Sequence, residues 1–150
     1  MTKMWRTVIL GVTAGLVMGL ALFFTGAVAA RIAYGPQMTP DGKFTPDQIN
    51  AAYFVWTKLL IGCFFGVLFA IVYERLPLNT RVASAAAGAK YAAVLWLLVY
   101  LWGLSHPLVY ELRWTLDRDQ LFWMVYTFGG FLGFGLAYGA LRRRVLGRAG

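Results

Sequence analysis

Acidic side chains are scarce in this chain. Six Asp and Glu stand against fourteen Lys and Arg, and none of the six falls inside the four longest apolar runs. A device that moves protons on a carboxylate within such a run is therefore excluded. There is a single cysteine, Cys63, so no disulfide framework or paired-thiol redox centre can form within one chain, and it reads as a small buried hydrophobe. There is a single histidine, His106, which rules out a multi-histidine metal site. Charged residues make up only 13%, about half the share of a soluble domain. No nucleotide-binding loop or metal spacing is present, and no nucleophile, base and orienting group can be assembled from the apolar runs, so neither an enzyme nor a cofactor is expected.

What the chain has is apolar length. The runs Thr7 to Ala30, Asn50 to Tyr73, Val82 to Leu104 and Leu121 to Leu141 are 21 to 24 residues long. A hydrocarbon core of about 30 Å needs roughly 20 such residues in one α-helix. Hydrophobic residues reach 60% and mean hydropathy is +0.64. The expected fold is all-α: a polytopic integral membrane protein with four transmembrane helices in one bundle, a single domain over residues 1–150. The first run resembles a secretory signal, with Lys3 and Arg6 ahead of it and Ala27-Val28-Ala29 near its end. Its apolar stretch exceeds the roughly 7–15 residues of a signal core, so it reads as the first span.

Charge gives the orientation. The N-terminal tail, the eight-residue connection Glu74 to Arg81 and the C-terminal tail carry Lys3, Arg6, Arg75, Arg81, Arg142, Arg143, Arg144 and Arg148 against Glu74, a net of +7. The other two connections carry Arg31, Lys43, Arg113 and Arg118 against Asp41, Asp47, Glu111, Asp117 and Asp119, a net of −1. The positive-inside rule then puts both termini on the cytoplasmic side of an inner membrane. The overall +8 reports orientation and anionic lipid rather than nucleic acid, and Arg142-Arg143-Arg144 is the natural anionic-lipid contact.

Local signals mark the connections. Thr45-Pro46-Asp47-Gln48 is helix N-terminal chemistry and places the start of the second helix near Pro46; Asp117 with Gln120 repeats the pattern before the fourth. Pro36 to Gly42 reads as turn. Pro77 and Asn79 punctuate the short basic connection, which predicts that helices 2 and 3 form an antiparallel hairpin. Between Pro107 and Leu116 apolar and charged residues alternate helically, predicting a short interfacial helix on the outer surface.

Small residues predict how the helices meet, since close backbone approach holds helices together where lipid gives no hydrophobic drive. Gly11, Gly15, Gly19 and Gly26 lie within about 80° of one another around helix 1 at 100° per residue. Gly62 and Gly66 share a face of helix 2. Gly129 and Gly133 mark one face of helix 4, and Gly135 and Gly139 another, so helix 4 is expected to touch two neighbours.

Two lysines lie inside the runs, where a charge at mid-bilayer costs at least about 2.5–3.5 kcal/mol. Lys58 and Lys90 each stand about eight residues into their run, about 10 Å from a boundary. Each can snorkel toward water along the tilt of its helix. Lys58 also shares a face with Gly62 and Gly66, where its partner would be a carbonyl, a hydroxyl, an acid from an outer connection or a bound anionic group. Arg31, Asp47, His106 and Glu111 gather at the same outer end, with Trp56, Trp102, Tyr110, Trp114 and Trp123 at similar depth. They form either an interfacial aromatic belt with solvated charges or a headgroup site with Lys58 at its floor. The functional reading is a non-catalytic accessory or assembly subunit, or a lipid-associated component, of a membrane complex. Its partners would be lipids and other membrane subunits or further copies of itself. The alternative is a small transporter or channel for anions or amphipathic solutes.

The charge asymmetry makes a direct prediction. A cysteine introduced at Lys43 is labelled from outside intact cells and one at Asn79 is protected; the reverse pattern inverts the topology.

Overall fold

The computed structural model describes residues 2–35, 51–75, 84–110 and 118–146, the side chains at 51–54, 102–110, 143 and 146 excepted. These residues form four helices: α1 (Lys3–Tyr34), α2 (Ala51–Arg75), α3 (Ala85–Tyr110) and α4 (Arg118–Leu146). By length and composition α1, α2 and α4 are each sufficient to cross a membrane, while the apolar stretch recorded for α3 is the shorter Ala85–Leu101.

The helix ends follow from local chemistry. Before α1, Thr2 is extended and its carbonyl accepts the Arg6 N–H at 3.3 Å. Gly35 ends the helix at φ +73, returning its N–H to the Arg31 carbonyl. That positive φ is one glycine adopts without a Cβ penalty. The start of α3 falls after the Val82 taken from the apolar run, because Ser84 intervenes as a cap. Its hydroxyl accepts the Ala87 N–H at 3.2 Å and its carbonyl the Gly88 N–H at 3.0 Å. At the other end α3 continues to Tyr110. Residues 107–110 are thus its last turn rather than the beginning of a separate interfacial helix, since an apolar helix tolerates the single donor lost at Pro107. The rest of that predicted helix, and the predicted start of α2 near Pro46, lie outside the described residues.

Across the bundle the order is α2, α1, α4, α3, with α1 packed against α2 and α4, and α4 against α1 and α3. The predicted packing of helix 2 on helix 3 is therefore corrected. The two run in opposite directions, but among the described residues their backbones do not pack side by side. The reason lies in where the glycines are used. Gly11, Gly15 and Gly19 of α1 meet the α2 backbone at Gly66–Val67, Gly62–Cys63 and Lys58–Leu59. A methyl group added at Gly15 would lie 2.7 Å from the Cys63 Cα, and one at Gly19 2.6 Å from the Lys58 carbonyl oxygen. On α4, Gly129, Gly130 and Gly133 receive Thr25, Leu22 and Ala21 of α1, whereas Gly135 and Gly139 close on Gly88 and Ala92 of α3 and on its cap Ser84. Gly26 faces the Tyr126 ring. Each close face of α2 and α3 is thus already taken, by α1 and α4 respectively.

With glycine along the seams, large side chains fill the remaining interior and the outside. Leu10, Met18, Leu22, Phe69, Tyr73, Phe131, Phe134 and Tyr138 are buried together. On the far side of α1 the chain exposes Leu16, Leu20, Phe24, Val28 and Ile32, and on α2 Leu60 and Phe64.

Gly15→Leu or Gly133→Leu should therefore destabilise the bundle by about 1–3 kcal/mol or more, because added bulk separates whole helices. Leu20→Ala, on the exposed face of α1, should change stability little. Thermal unfolding in detergent measures the order, and the opposite ranking would refute the seams.

Candidate functional site

Among the described residues, two charged side chains of α2 are tied to α4, one near each end. At the end that carries the α1 N-terminus, Glu74 occupies the last turn of α2 and faces Tyr138 and Arg142, four residues apart on one face of α4. Arg142 Nε donates to Glu74 Oε1 at 2.8 Å and Nη2 to Oε2 at 3.3 Å. The Tyr138 hydroxyl donates to the same Oε1 at 2.7 Å. The Arg142 and Glu74 side chains are 10% and 7% exposed. This is the two-pronged geometry that makes arginine the preferred partner of a carboxylate away from water.

Aromatic rings enclose the pair. Tyr73 lies 4.4 Å from Tyr91 of α3 and 5.2 Å from Tyr138, both edge-on, and the Arg142 guanidinium stands 5.8 Å from the Tyr73 ring centroid. Here alone, among the described residues, do side chains of α2, α3 and α4 converge on one charge pair. The Tyr91 hydroxyl is buried without a hydrogen-bond partner. Arg142 and Tyr138 together give the carboxylate three hydrogen bonds, an arrangement suited to holding helices together.

The second tie lies toward the other end. Lys58 of α2 donates from Nζ to the Tyr126 hydroxyl of α4, with its ammonium 4.7 Å from that ring's centroid. Tyr126 is fixed on several sides. Phe122 stacks on it at 5.6 Å, Trp123 meets it edge-on at 5.5 Å, and its carbonyl lies 3.1 Å from the Thr25 hydroxyl, which also reaches the Ala21 carbonyl at 2.7 Å. Further out, the Tyr34 hydroxyl donates to Asp119 at 2.5 Å. On the α3 side, the Trp96 indole donates to the Thr127 hydroxyl at 2.9 Å, and that hydroxyl donates to the Trp123 carbonyl at 2.6 Å. The Tyr34, Thr25 and Thr127 hydroxyls and the Trp96 indole thus each find an acceptor, as their desolvation requires, whereas the Tyr91 hydroxyl does not.

The residues singled out from the sequence are distributed unevenly. Lys58 is half-buried and tied across helices, whereas Lys90 is exposed on α3 and Arg31 exposed at the end of α1. Asp47 and Glu111 lie outside the described residues; His106 falls in α3 and Arg143 in α4, their side chains outside them. The basic triplet does not act as a unit. Arg142 turns inward to Glu74 while Arg144 is exposed, because helix periodicity puts residues 142 and 144 on opposite sides. Glu74, assigned to a connection, belongs to α2. It and Tyr73, Tyr91, Tyr126 and Tyr138 were not singled out. One signal was present: Glu74 is the only acid among eight basic residues on its side of the chain.

No protein-family model matches the chain, nor does any curated protein or solved structure. Among the described residues no three His, Cys, Asp or Glu side chains gather where they could hold a metal ion.

Breaking the Glu74–Arg142 pair from one side leaves a buried charge unmatched, so Glu74→Leu or Arg142→Met should each cost about 3–5 kcal/mol. The double variant should recover most of that loss, and Tyr138→Phe should cost only about 1 kcal/mol. A thermal-unfolding double-mutant cycle measures the coupling, and additive single losses would refute the tie.

Proposed function

We propose that the chain is a four-span integral membrane protein with both termini on the cytoplasmic side, acting as a non-catalytic accessory or assembly subunit, or lipid-associated component, of a membrane complex. The supporting observation is an inside-out distribution of size. Glycine and alanine line the contacts between helices, and large apolar side chains such as Phe24 and Phe64, 64% and 67% exposed, point away from them. In water such a surface is an aggregation liability, whereas hydrocarbon solvates it without cost. The polar groups inside the bundle pair with one another across helices, a use that serves assembly and needs no reaction. The end holding Glu74 and Arg142 is the one rich in Lys and Arg, so the charge asymmetry assigns it to the cytoplasm.

A second reading, a small carrier or channel for anions or amphipathic solutes, has its own support. The two ties on α2, at Lys58 and Glu74, are sixteen residues apart, and so are their partners on α4, Tyr126 and Arg142. That spacing is about 24 Å along a helix. Between them α2 and α4 touch through Phe69, which meets Phe131 and Phe134 at 5.2 and 5.7 Å, while their backbones stand apart. Polar closures at both ends of an apolar gap suit a passage as well as a scaffold.

Affinity purification in mild detergent separates the two. The subunit reading expects a second membrane protein in stoichiometric amount; a chain that purifies alone and conducts anions in liposomes would support the carrier instead.

A further inference from the structure

We propose that the side of α3 turned away from α4, centred on Lys90, docks a transmembrane helix of another membrane protein that carries one carboxylate level with Lys90. This names the partner chemistry for the subunit reading above and rests on it.

Helix periodicity puts Lys90 on that side. Gly88 and Ala92 meet α4 at Gly135 and Gly139, and Lys90 stands two residues from each, about 200° around the helix. Tyr91 turns instead to Tyr73 of α2. Lys90 is thus left on a third side, exposed, and no ion pair or hydrogen bond among the described residues involves it. Ala86, one turn before it, is exposed as well, and Ala93, one turn after, is half-buried. The same side continues through Leu97, 47% exposed.

Size and charge together select a helix as the occupant. Where the helices of this chain meet, the contacts are glycine and alanine; where α1 and α2 face outward, they carry Leu20, Phe24, Leu60 and Phe64. The alanines on either side of Lys90 follow the first pattern on a face that has no described helix against it, and they let a backbone come close. An ammonium on the outward face of a spanning helix is costly unless it reaches water or finds a counter-charge. A carboxylate on a helix lying over Ala86 and Ala93 supplies that charge and accepts a charge-assisted hydrogen bond. A second copy of this chain does not provide it. Of its described acids, Glu74 is held by Arg142 and Tyr138, and Asp119 lies at the opposite end with Tyr34. The partner is therefore a different chain with an acid inside one of its spans.

The test substitutes photoreactive benzoylphenylalanine for Val94 or Leu97, both exposed beside Lys90, in the full chain in its native membrane, with Leu20 of α1 as the lipid-facing control. Both α3 positions should form an adduct with one membrane protein, at a spanning segment that contains Asp or Glu, and the control should not. Lys90→Leu should lower the adduct yield about tenfold or more, the low end for a hydrogen bond to a charged group. Lys90→Arg should retain it, and Lys90→Glu should regain it when the acid of the partner is changed to Lys. Thermal unfolding of Lys90→Leu should match the wild type, since the side chain is exposed, so lost docking is not mistaken for a lost fold. Adducts with lipid alone or with a second copy, a crosslinked segment without an acid, a yield indifferent to Lys90→Leu, or no rescue on charge exchange would each overturn the proposal. A stoichiometric partner that co-purifies without crosslinking at Val94 or Leu97 keeps the subunit reading and overturns this face only, whereas a chain that purifies alone and forms no protein adduct overturns both.

Discussion

Backbone contact between α1 and α2 is the constraint from which the rest of this bundle follows. At Gly11, Gly15 and Gly19 on one helix and Gly62 and Gly66 on the other, there is no room for a Cβ on either side. Helices that approach this closely gain dispersion contacts along their whole length, a source of stability that does not need water. Because α1 also receives α4 along Gly129, Gly130 and Gly133, it packs on two helices at once, and α2 meets α3 through the Tyr73 and Tyr91 rings rather than backbone to backbone.

The polar ties are best understood as consequences of that arrangement. Once α2 is held by α1, its other flank faces α4 across a distance that glycine does not close, and long side chains must bridge it. Glu74 with Arg142 and Tyr138 does so at one end, Lys58 with Tyr126 at the other, and Phe69 between them. Each of these side chains is long or aromatic, whereas the seams are built from the smallest residues in the chain. A buried ion pair contributes little net stability over a well-packed apolar pair, but it penalises any packing that separates its partners. Here it ties the C-terminal turns of α2 and α4 at one end of the bundle.

Aromatic placement differs between the two ends of the bundle. The tyrosines at the Glu74 end are packed on one another and on a charge pair, whereas Tyr126 at the other end is packed on apolar rings and accepts a hydrogen bond from a lysine. The same side-chain type therefore seals one end and offers polar contact at the other.

Much of this was legible in the linear chain, because it depends on properties that repeat along one helix. Apolar length, the spacing of glycines every four residues, the two faces of α4 and the unequal charge of the connections are all local or additive, and each can be read without knowing what lies opposite. The pairing of those faces is not local. That Gly62 and Gly66 serve α1 and leave nothing for α3, that Arg142 alone of its triplet turns inward, and that Glu74 finds it sixty-eight positions away are decided by which helices share a border. The same holds for Lys58, whose sequence setting left its acceptor open among several types until α4 brought Tyr126 within reach. Amino-acid order determined the elements and their sticky faces by itself, since helix periodicity is a short-range property. Tertiary structure alone decided the partners, since the energy of a close seam or a buried charge exists only when both surfaces are present.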